Sequence, residues 1–245
     1  AELWRALQNK QFALLFTIVL VSAAITGTTT NLNIYMTTFF WGFETADLRW
    51  FTLSALGAVV AFPLVAYLQR NWDKRDILIS VAAISVLDGV FLVSLRFLDV
   101  LPTNGDPMLL AILVGMGVFS AGIAVVQGIL SASLIADTLD DHELRTGYRQ
   151  EGMFNAALSF SGKAVSGVGI MIGGLILTLI KFPTNILPVD VPSGMIINLG
   201  ITVGIVLPML HFLPIYMITR YKITRAVYAD IRKKLDRRYL ETEDN

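Results

Sequence analysis

The sequence predicts an all-α membrane protein with six transmembrane helices in one bundle and both termini in the cytoplasm. Of its 245 residues, 55% are hydrophobic and only 16% are charged, and the mean hydropathy is +0.65. This composition is too apolar for an ordinary soluble domain. Six apolar stretches are each long enough to cross a hydrocarbon core about 30 Å thick as a helix. The distribution of Lys and Arg among the connections predicts the orientation.

The predicted spans are separated by short polar connections. They cover residues 12–40, 50–68, 77–95, 108–135, 153–180 and 196–218. The first, fourth and fifth exceed the roughly 20 residues that a span requires, so we expect tilt, kinks or extension into the cytoplasm there. Residues 1–11 are predicted to form a cytoplasmic interfacial segment, because apolar residues recur in them at helical spacing among charges. Residues 12–218 then form the transmembrane bundle.

Basic residues identify the cytoplasmic side. They precede the first stretch, separate the second from the third and the fourth from the fifth, and follow the sixth. The opposite side has Arg49 and Lys181, with Arg96 at the end of a span. The positive-inside rule therefore predicts that both termini are cytoplasmic.

The tail at residues 219–245 is basic and has an apolar residue at every fourth position from 223 to 235. This pattern predicts an amphipathic helix, either on the anionic inner leaflet or against cytoplasmic loops. A nucleic-acid site is disfavoured, because the 19 basic residues of the chain are balanced by 19 acidic ones. We therefore expect the lipid bilayer, and no nucleic acid, as a partner.

Catalytic and metal-binding patterns are missing from the sequence. The chain has no cysteine, which excludes disulfides and thiolate metal sites. His142 has no other histidine or cysteine at ligand spacing. His211, between Pro208 and Pro214, is interpreted as structural, since the prolines free backbone carbonyls that a histidine can bond. No nucleophile is paired with a base, so we expect neither an enzyme nor a cofactor.

Lys163 is the single ammonium in a long apolar segment that directly follows a cluster of charges at residues 137–151. If this segment enters the membrane as a helix near Glu151, Lys163 lies twelve residues further on, about 18 Å deep at roughly 1.5 Å per residue. That depth is near the midplane of the bilayer. An uncompensated charge there costs at least about 2.5 to 3.5 kcal/mol.

The helical face around Lys163 carries polar and small side chains. At steps of three and four residues it contains Asn155, Ser159, Ser166, Gly167 and Gly174. One interpretation is close helix packing, with a structural ion pair at Lys163. The interpretation that we favour is a water-accessible cavity in which Lys163 binds an anionic or hydroxylated solute or balances a carboxylate.

Asp88 is a second charge at membrane depth, twelve residues from the expected boundary near Asp76. An intramembrane carboxylate is a candidate for proton or cation coupling, and the alternative is a hydrogen-bonded acid facing a neighbouring helix or subunit. Asn31 and Tyr35 in the first stretch and Gln127 in the fourth are candidates for contact with a solute. Close helix packing is the alternative for these three residues.

The charged segment between the fourth and fifth stretches is predicted to be a water-facing loop. Its candidate gating residues are Asp137, Asp140, Glu143, Arg145, Arg149 and Glu151. Opposite charges at helix ends can form salt bridges between helices that break and re-form when the cytoplasmic side opens and closes. The alternative is that these charges only solvate the loop.

This segment resembles the glycoside, pentoside and hexuronide cation symporters, the melibiose-permease-like branch of the major facilitator superfamily. The resemblance rests on Ala136, Asp137, Asp140, Glu143, Arg145, Thr146, Gly147, Arg149, Glu151, Gly152, Ser159, Phe160 and Lys163. The run looks like the family's loop between helices ten and eleven, continuing into helix eleven. LQNKQF before the first stretch, RNWDKR between the second and third, and the basic tail add to the resemblance.

The resemblance implies a twelve-span transporter of two six-helix bundles, in which a small solute moves with Na⁺, Li⁺ or H⁺ by alternating access. The chain matches the second bundle. The implied partners are the solute, the bilayer and an amino-terminal six-helix bundle, either in the same chain or as a separate subunit. The resemblance also implies a multi-pass protein of the bacterial inner membrane, with Lys163 near the sugar and cation sites.

Three functions are compatible with the sequence. The one that we favour is cation-coupled symport of a sugar-like or other small solute. Gly128 stands where melibiose-type members have a sugar-stacking tryptophan, so a carrier of lipids or other amphiphiles in the same branch is a second reading. The third is a non-transporting membrane subunit or scaffold derived from a half-transporter.

Overall fold

The structure, a computed structural model, describes residues 9–148, 151–183 and 191–243. Within the long helix that starts at Glu151, seven side chains lie outside the described part: Met153, Ala157, Phe160, Ser161, Lys163, Ala164 and Ser166. All regular structure in the described residues is helical, with no strand among them. The prediction of an all-α protein is confirmed.

The helices follow the predicted stretches. The first five are α1 (Lys10–Tyr35), α2 (Leu56–Leu68), α3 (Lys74–Phe97), α4 (Pro107–Thr146) and α5 (Glu151–Leu179). They are followed by α6 (Ser193–Ile201), α7 (Leu207–Leu210), α8 (Phe212–Ile218) and α9 (Arg225–Glu243). A π-helical turn, Met36–Phe40, extends α1; a 3₁₀-helix, Asp47–Ala55, leads into α2; and a second π-helical turn, Thr202–Val206, joins α6 to α7.

Five segments of the described chain are long and apolar enough to cross a membrane. They are Lys10–Phe40, Asp47–Leu68, Lys74–Phe97, Pro107–Thr146 and Ser193–Ile218. Each of them contains one of the predicted stretches. The remaining stretch forms α5, of which the part Gly167–Leu179 is an apolar helix of described residues. A sixth span and the cytoplasmic position of the termini remain predictions.

Local sequence explains where helices begin and end. Asn9 caps α1, because its side-chain oxygen accepts hydrogen bonds from two backbone N–H groups of the first turn, at 2.9 and 3.3 Å. Asp106 caps α4 by accepting one hydrogen bond of 2.8 Å from the backbone N–H of Met108, and Pro107 occupies the first helical position. α4 ends at Thr146, and the next residue, Gly147, has a φ of +80°, which is accessible to glycine at little cost.

The first part of the charged segment, residues 137–143, is helical and buried, so the prediction of a water-facing loop is wrong for these residues. α4 continues to Thr146, and all side chains at positions 137–143 are buried. The cause is tertiary packing, since α9 and the start of α3 cover the last turns of α4 and supply polar partners. A paired acid can be buried, whereas an unpaired one cannot without a large cost. We call residues 137–146 of α4, with the parts of α3 and α9 that cover them, the charged end.

The interior consists mainly of two apolar clusters. The cluster next to the charged end includes Leu15, Val65, Leu130, Leu134, Tyr221, Ile223, Ile231 and Leu235. The cluster at the opposite end includes Leu32, Phe40, Leu109, Phe182 and Leu199. The apolar face of the tail therefore packs against helices of the bundle, and only Val227 of its four apolar residues at every fourth position is exposed, at 44%.

Glycines allow two pairs of helices to approach closely. A Cβ added to Gly57 in α2 would lie 2.1 Å from the carbonyl oxygen of Val118 in α4. A Cβ added to Gly169 in α5 would lie 2.7 Å from the backbone of Gly27 in α1. Both distances are shorter than van der Waals contact, so these helices meet backbone to backbone, as small residues permit in membrane proteins.

Candidate functional site

Lys74 and Asp137 form an ion pair at the charged end. Lys74 Nζ lies 2.8 Å from both carboxylate oxygens of Asp137, whose side chain is 6% exposed. The same ammonium lies 5.0 Å from the centre of the Tyr228 ring in α9, within the range of a cation–π interaction. Lys74 thus links the start of α3 to the end of α4 and to α9. Because Asp137 is buried, it depends on this cation.

Asp140 connects α4 to the tail helix. Its Oδ2 accepts a hydrogen bond of 3.0 Å from the Tyr228 hydroxyl and lies 3.6 Å from a guanidinium nitrogen of Arg232. Burial, and the hydrogen bond to the Asp140 carboxylate, raise the pKa of Tyr228 to about 12. Tyr228 is therefore a neutral hydrogen-bond donor throughout the physiological pH range.

The remaining acids of the charged end have partners on three segments. Arg145 Nε lies 2.9 Å from Asp141 Oδ2, an ion pair within α4 and not between helices. Asn9, at the start of α1, donates to the same carboxylate at 3.5 Å. Glu143 accepts a hydrogen bond from the Tyr239 hydroxyl of α9. The acids of α4 therefore tie α1, α3 and α9 together at one end of the bundle.

Tyr221 anchors the chain between α8 and α9. Its side chain is fully buried, and its hydroxyl donates to the carbonyl oxygen of Leu134 at 3.1 Å and lies 3.0 Å from Thr138 Oγ1. Burial raises the pKa of the Tyr221 hydroxyl. Arg75 donates to the Tyr221 carbonyl at 3.2 Å. This residue thus holds the beginning of the tail against α3 and α4.

The alkaline titration of Tyr228 provides a test of the charged end. The folded pKa of about 12 lies above the unfolded value of about 10. The stabilising contribution of Tyr228 is therefore fully present below pH about 10 and is lost as the pH rises through about 12. The phenolate absorbance of Tyr228 is present in wild type and absent in Tyr228→Phe, so it can be obtained as the difference between their spectra. We expect this difference signal to appear near pH 12. Ionisation of Tyr228 near pH 10 would contradict the contact with Asp140.

Asp88 lines a cavity of about 430 Å³ between α1, α3, α4 and the segment α7–α8. Its Oδ2 accepts a hydrogen bond from the Ser120 hydroxyl of α4. Its Oδ1 is buried and has no hydrogen-bond partner among the described residues. Gln127 and His211 line the same cavity, and Gln127 also donates to the carbonyl oxygen of Val81 at 3.4 Å. Two of the predicted site residues, Asp88 and Gln127, are thereby brought together.

Asn31 packs against α5, and Tyr35 packs against two phenylalanine rings. The side-chain nitrogen of Asn31 lies 2.6 Å from the position that a Cβ on Gly173 would occupy, so the amide rests on α5. The Tyr35 ring meets the Phe182 ring edge-on at 5.8 Å and stacks with Phe39 at 6.1 Å. Neither residue lines the cavity of Asp88. These contacts correspond to the close-packing alternative.

The predicted site residues near Lys163 are described only in part. Three of them are exposed: Glu151, Asn155 and Ser159. Three lie outside the described part: Arg149, and the side chains of Lys163 and Ser166. The backbone of α5 is continuous through position 163, as predicted, but the surroundings of the ammonium stay a prediction.

The sequence reasoning missed several partners of the acids. Lys74 lies in the predicted connection between the second and third stretches, and Tyr228 and Arg232 lie in the predicted basic tail. No sequence pattern predicts that these residues pair with α4. The available signal in the sequence is one of charge: acids outnumber bases within residues 137–151, whereas RNWDKR and the tail are basic. His211 was interpreted as structural, and no sequence signal placed it in the cavity of Asp88.

Comparison with known proteins gives a match to a family described as MFS/sugar transport protein, over residues 2–225. The chain is 25% identical over 242 residues to the uncharacterized symporter YnaJ of Bacillus subtilis (strain 168), covering 97% of the chain and 49% of that protein. It is 27% identical over 242 residues to an uncharacterized symporter of Synechocystis sp., covering 95% of the chain and 42% of that protein. The chain thus spans about half the length of these curated relatives.

These matches confirm the resemblance to a symporter family of the major facilitator superfamily. They also confirm the prediction that the chain is not an enzyme, because the family consists of transporters. Together with the apolar helices, they establish an integral, multi-pass membrane protein. The chain belongs to the MFS/sugar transport protein family.

Proposed function

We propose that the chain forms one half of a secondary transporter that moves a sugar-like or other small solute with Na⁺, Li⁺ or H⁺ by alternating access. The family match and the two symporter relatives, of which the chain covers about half, support this proposal. The chain would be a six-span bundle of the bacterial inner membrane with cytoplasmic termini. An amino-terminal six-helix bundle, in the same chain or a separate subunit, would complete the pathway.

The observation that carries this proposal is an exposed polar face on α5. Asn155 and Ser159 are exposed although they lie four and eight residues inside the helix that starts at Glu151. Polar groups at such depth are costly in lipid and are normally kept facing water or another helix. A solute pathway between two bundles provides such surroundings. Lys163 lies one four-residue step further along the same face.

The charged end is suited to act as a gate. Its ion pairs and hydrogen bonds join α4 to α3 and α9, and such contacts can break and re-form when helices move. In this proposal, opening on this side is controlled by Asp137, Asp140, Glu143, Arg145, Arg149 and Glu151. The buried acids alternate between these partners and others that form in the open state.

Replacement of Lys163 by alanine tests the transport function. In membranes that contain the complete transporter, we expect Lys163→Ala to lower cation-driven uptake at least about tenfold, equivalent to about 1.4 kcal/mol of lost interaction. Membrane insertion is expected to be unchanged, because most of α5 is apolar. Lys163→Arg keeps the positive charge and is expected to retain more uptake than Lys163→Ala.

The matched control is Lys181→Asn. Lys181 is exposed beyond the end of α5 and has a φ of +53°, which asparagine tolerates. Uptake in this control is expected to equal that of wild type. If Lys163→Ala also transports like wild type, Lys163 has no role in the pathway. The scaffold function would be favoured by two results together. The wild-type protein would co-purify in a fixed ratio with subunits that are not transporters, and it would show no uptake.

A further inference from the structure

The Asp88–Ser120 hydrogen bond lies where two cavities meet. Asp88 lines the cavity of about 430 Å³, which extends towards the charged end as far as Ser131 and Ile218. Ser120 lines a second cavity of about 610 Å³, which extends towards the opposite end as far as Phe43. Thr30 of α1 lines both cavities. Asp88 therefore borders one cavity, and its hydrogen-bond partner Ser120 borders the other, which extends in the opposite direction along the bundle.

The surroundings of Asp88 contain hydroxyl and amide groups but no cation in the described part. Four elements contribute polar side chains to the cavity. These side chains are Ser22, Thr26, Thr29 and Thr30 of α1, Ser85 and Asp88 of α3, Gln127 and Ser131 of α4, and His211 of the segment α7–α8. Among these described lining residues only Asp88 and His211 titrate, and none is Lys or Arg. Lys163, on α5, lies outside the described side chains. Within the described part of the chain, Asp88 Oδ1 is buried and has no hydrogen-bond partner.

A carboxylate with a free oxygen at this depth needs a positive ligand or a proton. A hard cation takes several oxygen ligands at once, whereas the carboxylate of Asp88 has one hydrogen-bond partner among the described side chains, the hydroxyl of Ser120. A proton needs only one lone pair, and Asp88 Oδ1 offers it.

We propose that Asp88 is a proton-binding site inside this bundle, located at the junction of the two cavities. The carboxylate takes a proton from hydronium in the cavity, which leaves neutral Asp88 and a water molecule. The cavity has room for this exchange, because one water needs only about 10–15 Å³ of such volume. A role of this proton in coupling rests on the transport function proposed above, whereas the binding itself does not.

Infrared difference spectroscopy of the full chain in lipid vesicles tests this site without any transport measurement. On lowering the pH, we expect the carboxylic-acid C=O band of Asp88 to appear in wild type. The band is expected to be absent in Asp88→Asn and to reappear at a shifted frequency in Asp88→Glu. Asp99→Asn is the control, since Asp99 is exposed in the connection after α3, and this variant is expected to keep the band.

Two outcomes would overturn the proton site. One is that the Asp88 carboxylate stays ionised over the whole pH range in which the chain is folded. The other is that Na⁺ or Li⁺ at constant pH, and not the pH itself, changes the Asp88 bands, which would make the site an alkali-cation site. If the band behaves as expected but uptake by Asp88→Asn equals that of wild type, proton binding is supported and its role in coupling is excluded.

Discussion

Replacing Lys74 with alanine is expected to destabilise the charged end by about 3 kcal/mol. The change leaves Asp137, 6% exposed, without the ammonium that lies 2.8 Å from both of its oxygens. Breaking a buried ion pair by removing one partner costs more than the pair itself contributes, because a charge is left uncompensated. It also removes the contact of Lys74 with the Tyr228 ring, so we expect α9 to separate from α3 and α4 before the rest of the bundle unfolds.

The apparent melting temperature of the purified protein measures this loss. Lys234→Ala is the matched control, because Lys234 pairs with Asp230 on the same helix and both side chains are more than half exposed. Such a surface pair contributes at most about 0.5 kcal/mol. In the double variant Lys74→Ala, Asp137→Asn, part of the stability is expected to return, since position 137 no longer carries an uncompensated charge. Equal effects of Lys74→Ala and Lys234→Ala would contradict the assigned role of the buried pair.

Replacing Gly57 with valine is expected to destabilise the bundle by about 1–3 kcal/mol or more. A Cβ at this position would lie 2.1 Å from the Val118 carbonyl oxygen and 2.7 Å from the Gly122 backbone nitrogen. These are backbone atoms of α4, so no change of side-chain rotamer can relieve the overlap. The two helices must move apart, which opens the apolar packing on both sides of the contact.

The control for Gly57→Val is Gly115→Ala. Gly115 lies on α4, and no other part of the described structure comes within 4 Å of a Cβ added there. This substitution is expected to leave the melting temperature unchanged or to raise it by an amount equivalent to about 0.5–1 kcal/mol, because alanine favours the helix. If Gly57→Val has the same melting temperature as wild type, α2 and α4 do not meet at Gly57 and Gly122.

The sequence by itself determined the helical spans, the family and the polar positions within the membrane. A span depends on the composition of about 20 consecutive residues, because the bilayer requires every backbone group to bond within its own helix. For five spans, most of the predicted ends therefore agree with the structure to within a few residues. The charged motif from Asp137 to Lys163 identified the family, because the residues that form this motif are close together in the chain.

Tertiary structure alone decided which charges pair and which surfaces are buried. Lys74 and Asp137 are 63 positions apart, and Tyr228 and Asp140 are 88 apart, so no local pattern links them. The same acids would face water in a loop and are buried here, because α3 and α9 bring their partners within hydrogen-bond distance. Likewise, Asp88 and His211 share a cavity only because four helices enclose it. Side-chain pairing depends on distance in space, which the linear order of residues does not contain.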